Sequence, residues 1–128
     1  VRAEARARDG VSGEWHDVGS LGALERDGRV LASVGGREVG VLLDPVGDRL
    51  VAVRNRCPHQ GGPLCAGVVS ERIRGRPGTY DLERQSVLRC PWHGWEFDVE
   101  SGICRDDPRM RVAVYPVKVD NGRVLVKA

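Results

Sequence analysis

The sequence predicts an all-β domain. Short runs rich in Val, Leu and Ile recur between turns built from Gly, Pro, Asp and Asn. The strongest turn signal, Asp120-Asn121-Gly122, separates two apolar runs at the end of the chain, as a hairpin requires. Only one stretch carries helix punctuation: Ser20 before it and Asp27-Gly28 after it. Short strands at this spacing build a sandwich or a small barrel.

Each element follows from its local sequence. Residues 1–12 are rich in Arg and Ala and read as a flexible lead-in, leaving 13–128 as a single domain. Residues 13–18 form an opening strand and residues 21–26 a short helix capped by Ser20. Residues 29–34 and 38–43 make a strand pair across Gly35-Gly36. The turn 44–48 contains Pro45 and Gly47 and delivers strand 50–55, which runs into Cys57. Val87-Leu88-Arg89 leads into Cys90 in the same way. Residues 95–99 and 103–105 flank the turn 100–102, and residues 111–119 and 123–127 close the chain as a hairpin. Residues 67–86 are polar, with Gly75, Pro77 and Gly78, and read as a solvated surface excursion. Their arginines, Arg72, Arg74, Arg76 and Arg84, offer a second reading as a docking element.

Composition excludes several classes. A chain of 128 residues buries a real core, so its four cysteines are not needed as staples. The net charge of +2 combines many charges of both signs, which is a solvated surface and not a nucleic-acid footprint. No apolar run has transmembrane length, so no membrane partner is expected. The start has no apolar signal region, which points to a cytoplasmic protein. The first residue is Val and not Met, which leaves processing or a longer parent chain open.

Chemistry concentrates in two short stretches, Cys57-Pro58-His59 and Cys90-Pro91-Trp92-His93. Each places a thiol and an imidazole together on one loop that follows a strand. Two thiolates and two imidazoles suffice for a [2Fe–2S] cluster with Cys on one iron and His on the other. They would also suffice for zinc. Zinc fingers usually pair like with like, as C-x₂₋₄-C and H-x₃₋₅-H, whereas each loop here carries one of each. Small residues beside the candidate ligands let backbone N–H groups approach the sulfurs, whose negative charge needs hydrogen bonds when buried.

The stretches Cys57-Pro-His-Gln-Gly-Gly-Pro-Leu64 and Cys90-Pro-Trp-His-Gly-Trp-Glu-Phe-Asp98 closely resemble the cluster loops of Rieske ferredoxins and of the Rieske domains of ring-hydroxylating oxygenases. The resemblance runs from about Trp15 to about Val126. It implies stacked antiparallel sheets with a cluster-binding subdomain at one tip. It implies a [2Fe–2S] cofactor held by Cys57, His59, Cys90 and His93, with the imidazoles bound through Nδ1. Pro108 would belong to a third loop that covers the cluster.

Departures from the family are equally informative. High-potential relatives tie their cluster loops with a disulfide, but the matching positions here are Gly62 and Trp92. Cys65 and Cys104 lie just outside the loops and read as small buried apolar residues, with a bridge between them as the lesser reading. Those relatives also place Ser and Tyr hydroxyls where this chain has Trp95 and Phe97. Such hydroxyls stabilise the reduced cluster, so their loss predicts a potential of roughly −150 to 0 mV. Trp95 and Phe97 read as core, Pro63 stiffens the first loop, and Trp92 is expected to pack over the cluster loop and shield it from water. Arg56, Arg89 and Arg109 either favour an acidic partner or solvate the rim.

The function implied is one-electron transfer, from a flavin-dependent reductase to a Rieske-type non-haem iron oxygenase. No catalytic site of its own is expected. Beyond the ligand candidates only His16 remains, so the chain cannot build a triad of two His and one carboxylate for mononuclear iron. The alternatives are the Rieske portion of a larger oxygenase and the small subunit of a nitrite-reductase-like complex.

Overall fold

The computed structural model describes residues 13–45, 48–58, 60–74 and 83–128, and it is all-β. The strands are β1 (Trp15–Ser20), β2 (Arg29–Val34), β3 (Arg37–Asp44), β4 (Arg49–Arg54), β5 (Val68–Arg74), β6 (Glu83–Arg89), β7 (Glu96–Asp98), β8 (Val114–Tyr115), β9 (Val117–Asp120) and β10 (Arg123–Lys127). One helix, α1 (Leu21–Asp27), and a single 3₁₀ turn (Leu64–Ala66) join them. Three antiparallel sheets result, ordered β1-β10-β9, β2-β3-β4-β8 and β5-β6-β7. Among the described residues no helix is long and apolar enough to cross a membrane.

Local chemistry sets the boundaries. The Ser20 hydroxyl accepts from the Ala23 N–H at 3.0 Å, and the helix ends at Gly28 in the left-handed region (φ +80°), as the capping residues predict. Gly35-Gly36 (φ +57°, +78°) and Asn121-Gly122 (φ +50°, +74°) make tight hairpin turns with positive φ at both central residues. The β2-β3 and β9-β10 registers run directly from those turns.

The middle sheet is buried on both faces, so β3 and β4 are almost continuously apolar. Val39, Val41, Leu50 and Ala52 face a base core shared with α1 and the β1-β10-β9 sheet. Leu42, Val51 and Val53 face a second core, shared with Leu88, Phe97, Cys57 and Cys90. The candidate ligand loops thus stand on a wall fixed from behind.

One expectation is refined and one corrected here. Residues 67–86, read as a surface excursion, carry a hairpin: β5 and β6 pair from Val68↔Arg89 to Arg74↔Glu83. Val87 and Leu88 of that hairpin are buried, and its tip, 75–82, lies outside the described residues. The sequence of this stretch is mostly polar, so alternation was hard to see. Residues 111–119 are not one strand. Pro116, which has no N–H to donate, separates β8, paired with β4, from β9, paired with β10. Of residues 103–105, only Ile103 and Cys104 form bridges, to Arg111 and Phe97. The expected lead-in, residues 1–12, lies outside the described residues.

Candidate metal centre

The two candidate loops are one turn used twice. Both read Cys-Pro-x-x-Gly: Cys57-Pro58-His59-Gln60-Gly61 and Cys90-Pro91-Trp92-His93-Gly94. In the first, the Gly61 N–H donates to the Cys57 carbonyl at 2.7 Å, and the Cys57 N–H donates to the Gly62 carbonyl at 2.9 Å. In the second, Gly94 donates to Cys90 at 2.9 Å, and Cys90 donates to the Trp95 carbonyl at 2.8 Å. Both glycines take left-handed backbone, φ +75° and +72°. The proline in the second place fixes its own φ and needs no hydrogen-bond partner for a missing N–H. This repeat is legible in the sequence once the two loops are aligned on Cys, Pro and Gly instead of on Cys and His.

The loops follow strands of two different sheets that share one core. Cys90 directly follows β6, and Cys57 lies three residues past β4. The thiols of both are 2% exposed and share one core, whereas the His93 side chain is exposed. His59 lies outside the described residues. Among the described residues no three His, Cys, Asp or Glu side chains stand close enough together to hold a single metal ion.

The loops also touch each other. A Cβ on Gly62 would lie 2.8 Å from the Trp92 ring, so the indole rests on the bare backbone of the first loop. These are the two positions that the resemblance aligns with the disulfide of high-potential relatives. Trp92 covers the first loop, yet 56% of it remains exposed. Deeper down, Gly67 meets the backbone before Cys90 so closely that a Cβ there would be 1.8 Å from the Arg89 carbonyl oxygen.

Side chains beyond the loops hold this arrangement. The Asn55 Oδ1 accepts from the Cys65 N–H at 2.7 Å, while its amide donates to Glu38. Arg29 donates to the carbonyls of Cys65 and Gly67, the latter at 3.1 Å. Sequence reasoning did not single out Asn55 or Arg29, since each acts across strands that only the fold brings together. Glu96 on β7 receives Arg72 from β5 and Arg105 at 3.5 Å, so Arg72 braces the sheet. The side chains of Arg74, Arg76 and Arg84 lie outside the described residues.

Cys65 and Cys104 are fully buried and form no disulfide. Burial pushes the Cys65 thiol up to about 12, and its Sγ lies 3.7 Å from the Val53 carbonyl. Burial pushes the Cys104 thiol up as well. Both therefore stay protonated and inert, as small apolar residues do. Phe97 is core, 1% exposed, and Trp95 packs against the same core. Pro108 lines a shallow groove with Gln85, Asp98 and Cys104. Arg109 is held by Asp107 through two hydrogen bonds of 3.0 and 2.9 Å, which also hold the Asp107 carboxyl below the usual range.

The donor set fits a two-iron cluster: buried thiols at two matched turns, and imidazoles in the same turns with one at the surface. Comparison with known proteins agrees. Residues 14–116 match the Rieske [2Fe-2S] domain family. The ferredoxin component of the alkene monooxygenase system of Xanthobacter autotrophicus is 31% identical, over 88% of this chain and 80% of that protein. Human apoptosis-inducing factor 3 is 35% identical over 69% of this chain, which spans only 12% of that longer protein. A crystal structure of a candidate small subunit of an NADH-dependent nitrite reductase from Mycobacterium tuberculosis superposes with a TM-score of 0.72 at 25% identity, covering 91% of this chain and 96% of that one. The expected all-β Rieske architecture is therefore the observed one, and the zinc alternative falls away. The chain belongs to the Rieske [2Fe-2S] domain family, and its cofactor is a [2Fe–2S] cluster.

Proposed function

We propose that this chain is a one-electron carrier whose cluster is held by Cys57, His59, Cys90 and His93. The carrying observation is the repeated Cys-Pro-x-x-Gly turn, which buries two thiols in one core and leaves His93 exposed. When bound, the cluster accepts and releases a single electron. Two thiolates and two neutral imidazoles cancel the charge of two ferric ions and two sulfides, so the added electron brings the centre only to −1. Burial of the Cys57 and Cys90 sulfurs keeps water from the thiolate side. His93 at the surface shortens the path to a partner.

The donor is proposed to be a flavin-dependent reductase and the acceptor a non-haem iron oxygenase. This is supported by the similarity to an alkene monooxygenase ferredoxin over most of both chains. A second reading, as a small subunit of a nitrite-reductase-like complex, is favoured by the near-complete superposition on such a subunit. A third, as one portion of a larger oxidoreductase, is favoured by the match to a short stretch of a longer protein.

The deciding experiment is EPR of the anaerobically purified, dithionite-reduced protein, with iron and acid-labile sulfide counted on the same sample. A rhombic signal of low average g with equal iron and sulfide is expected. A colourless protein without that signal would overturn the proposal. The reduction potential should fall at roughly −150 to 0 mV, because Trp95 and Phe97 supply no hydroxyl to the cluster. A value above about +150 mV would sink the low-potential assignment.

A further inference from the structure

Apart from Arg29, which donates to backbone carbonyls, the arginines with described side chains divide into two groups. Arg26, Arg49, Arg72, Arg105, Arg109 and Arg123 are each paired with a carboxylate. Arg37, Arg54, Arg56, Arg89 and Arg111 are exposed and make no ion pair with a described residue. The first four flank the ligand loops. Arg56 lies over the first loop, its guanidinium 3.2 Å from where a Gly61 Cβ would be. Arg89 lies over the second, 2.8 Å from the corresponding position on Gly94. Arg37 and Arg54 share a hollow with Arg56 and Gly61. The one carboxylate in that hollow, Glu38, is engaged by the Asn55 amide.

The other flank is apolar. Val68 and Trp92 are 65% and 56% exposed, the two most exposed large apolar side chains among the described residues. They come from different elements, yet both line one open groove, with Ala66, Pro91 and His93 between them. Arg89 lines the same groove and joins it to the basic side. Isolated exposed apolar residues are ordinary, but two converging beside a candidate ligand are a patch.

We propose that the redox partner presents a protruding apolar side chain set among carboxylates. The apolar side chain enters the groove between Val68 and Trp92, and the carboxylates face Arg89, Arg56 and the Arg37–Arg54 hollow. This rests on the electron-carrier reading and adds the chemistry of the partner. Unpaired surface charge steers the encounter, and the off-centre apolar seat fixes one orientation in which His93 faces the partner.

The test uses the cluster-loaded, oxidised protein and three probes followed by NMR. Hexacyanochromate(III), a redox-inert paramagnetic anion, should broaden the Gly36 and Arg37 amides and the Val68 methyls. Hexaamminechromium(III), its cationic counterpart, should not. Arg56→Gln and Arg89→Gln should each weaken the anion by about threefold, the size of an exposed charge pair, with the loss shrinking in salt. A peptide with one leucine between glutamate pairs should shift the Val68 methyls. Val68→Ser should weaken it about fivefold, in line with partial burial of one aliphatic side chain. Equal binding of anion and cation, anion binding unchanged in the double Arg variant, or a glycine-centred peptide binding as well as the leucine one would each overturn the proposal. EPR separates this from the function itself. Wild-type protein without the Rieske signal sinks the carrier reading, whereas protein with the signal but no anion preference sinks only the docking surface.

Discussion

The two ligand loops share a backbone and differ in what they do with it. Both use Cys-Pro-x-x-Gly, both close with a bond from Gly to Cys, and both begin after an arginine that folds over the glycine. They differ in where the imidazole falls, third place in the first loop and fourth in the second. They differ also in bulk: the second offers Trp92, and the first leaves Gly62 bare to receive it. One rigid turn, repeated, positions two thiols in the same way, while the unequal middle residues make the loops complementary instead of identical. Where relatives tie these positions with a disulfide, an indole resting on a glycine joins them by packing alone.

The largest effect expected is from the ligands themselves. Cys57→Ser and Cys90→Ser should each abolish the visible absorption and the EPR signal, because a hydroxyl does not ionise to replace a thiolate. A Cys65→Ser or Cys104→Ser variant should keep both signals. If a Cys65 variant lost the cluster while a Cys57 variant kept it, the assignment of thiols to the repeated turn would be wrong. Gly67→Ala comes next. Its Cβ would lie 1.8 Å from a backbone oxygen that belongs to strand β6 and cannot swing aside. A loss of about 3 kcal/mol is expected, at the upper end for overpacking, read as a drop in the urea midpoint. Gly62→Ala, which meets only the Trp92 ring, should cost less than Gly67→Ala.

The spare thiols sharpen the contrast between cysteines that bind metal and cysteines that fill space. Cys65 ionises at about 12 in the fold against 9.0 ordinarily. Its raised value contributes stability that is fully present below pH 9 and lost as pH rises toward 12, because the unfolded chain releases its proton first. Between pH 9 and 11 this is about 2 kcal/mol. Cys65→Ala should be less stable than wild type at pH 7, from the lost packing, but should lose about that much less on going to pH 11. Parallel declines in urea-midpoint titrations of the two proteins would contradict the burial argument.

Much of this was legible in the sequence, and the misses have a common cause. Capping at Ser20 and Gly28, the glycine turns and the Asn121-Gly122 hairpin are local chemistry, and they came through intact. The two Cys/His stretches were equally plain, because metal chemistry needs those residue types close together. The β5-β6 hairpin was obscured because its sequence is mostly polar, and it is the pairing of its strands that defines it. The split at Pro116 needed knowledge of which sheet lies on either side. Asn55, Arg29 and the Gly62–Trp92 contact join residues far apart in the chain, and no local pattern marks them.

The finest test of the repeated turn is a pair of alanines. Gly61 and Gly94 have nearly the same φ, +75° and +72°, and each would push its Cβ at the side chain of an arginine free to move at the surface. The cost of each substitution should therefore be set by the left-handed backbone, about 1 kcal/mol for a residue with a Cβ, and not by the neighbour. Gly61→Ala and Gly94→Ala should then lower the urea midpoint by matching amounts. Combining Gly94→Ala with Arg89→Gln should recover little, since the arginine is not the obstacle. If one alanine cost over about 1 kcal/mol more than the other, the two turns would be alike in hydrogen bonding only. Full recovery by Arg89→Gln would instead mean that the guanidinium is clamped over Gly94, and the second loop would then owe its shape to that side chain as well as to its backbone.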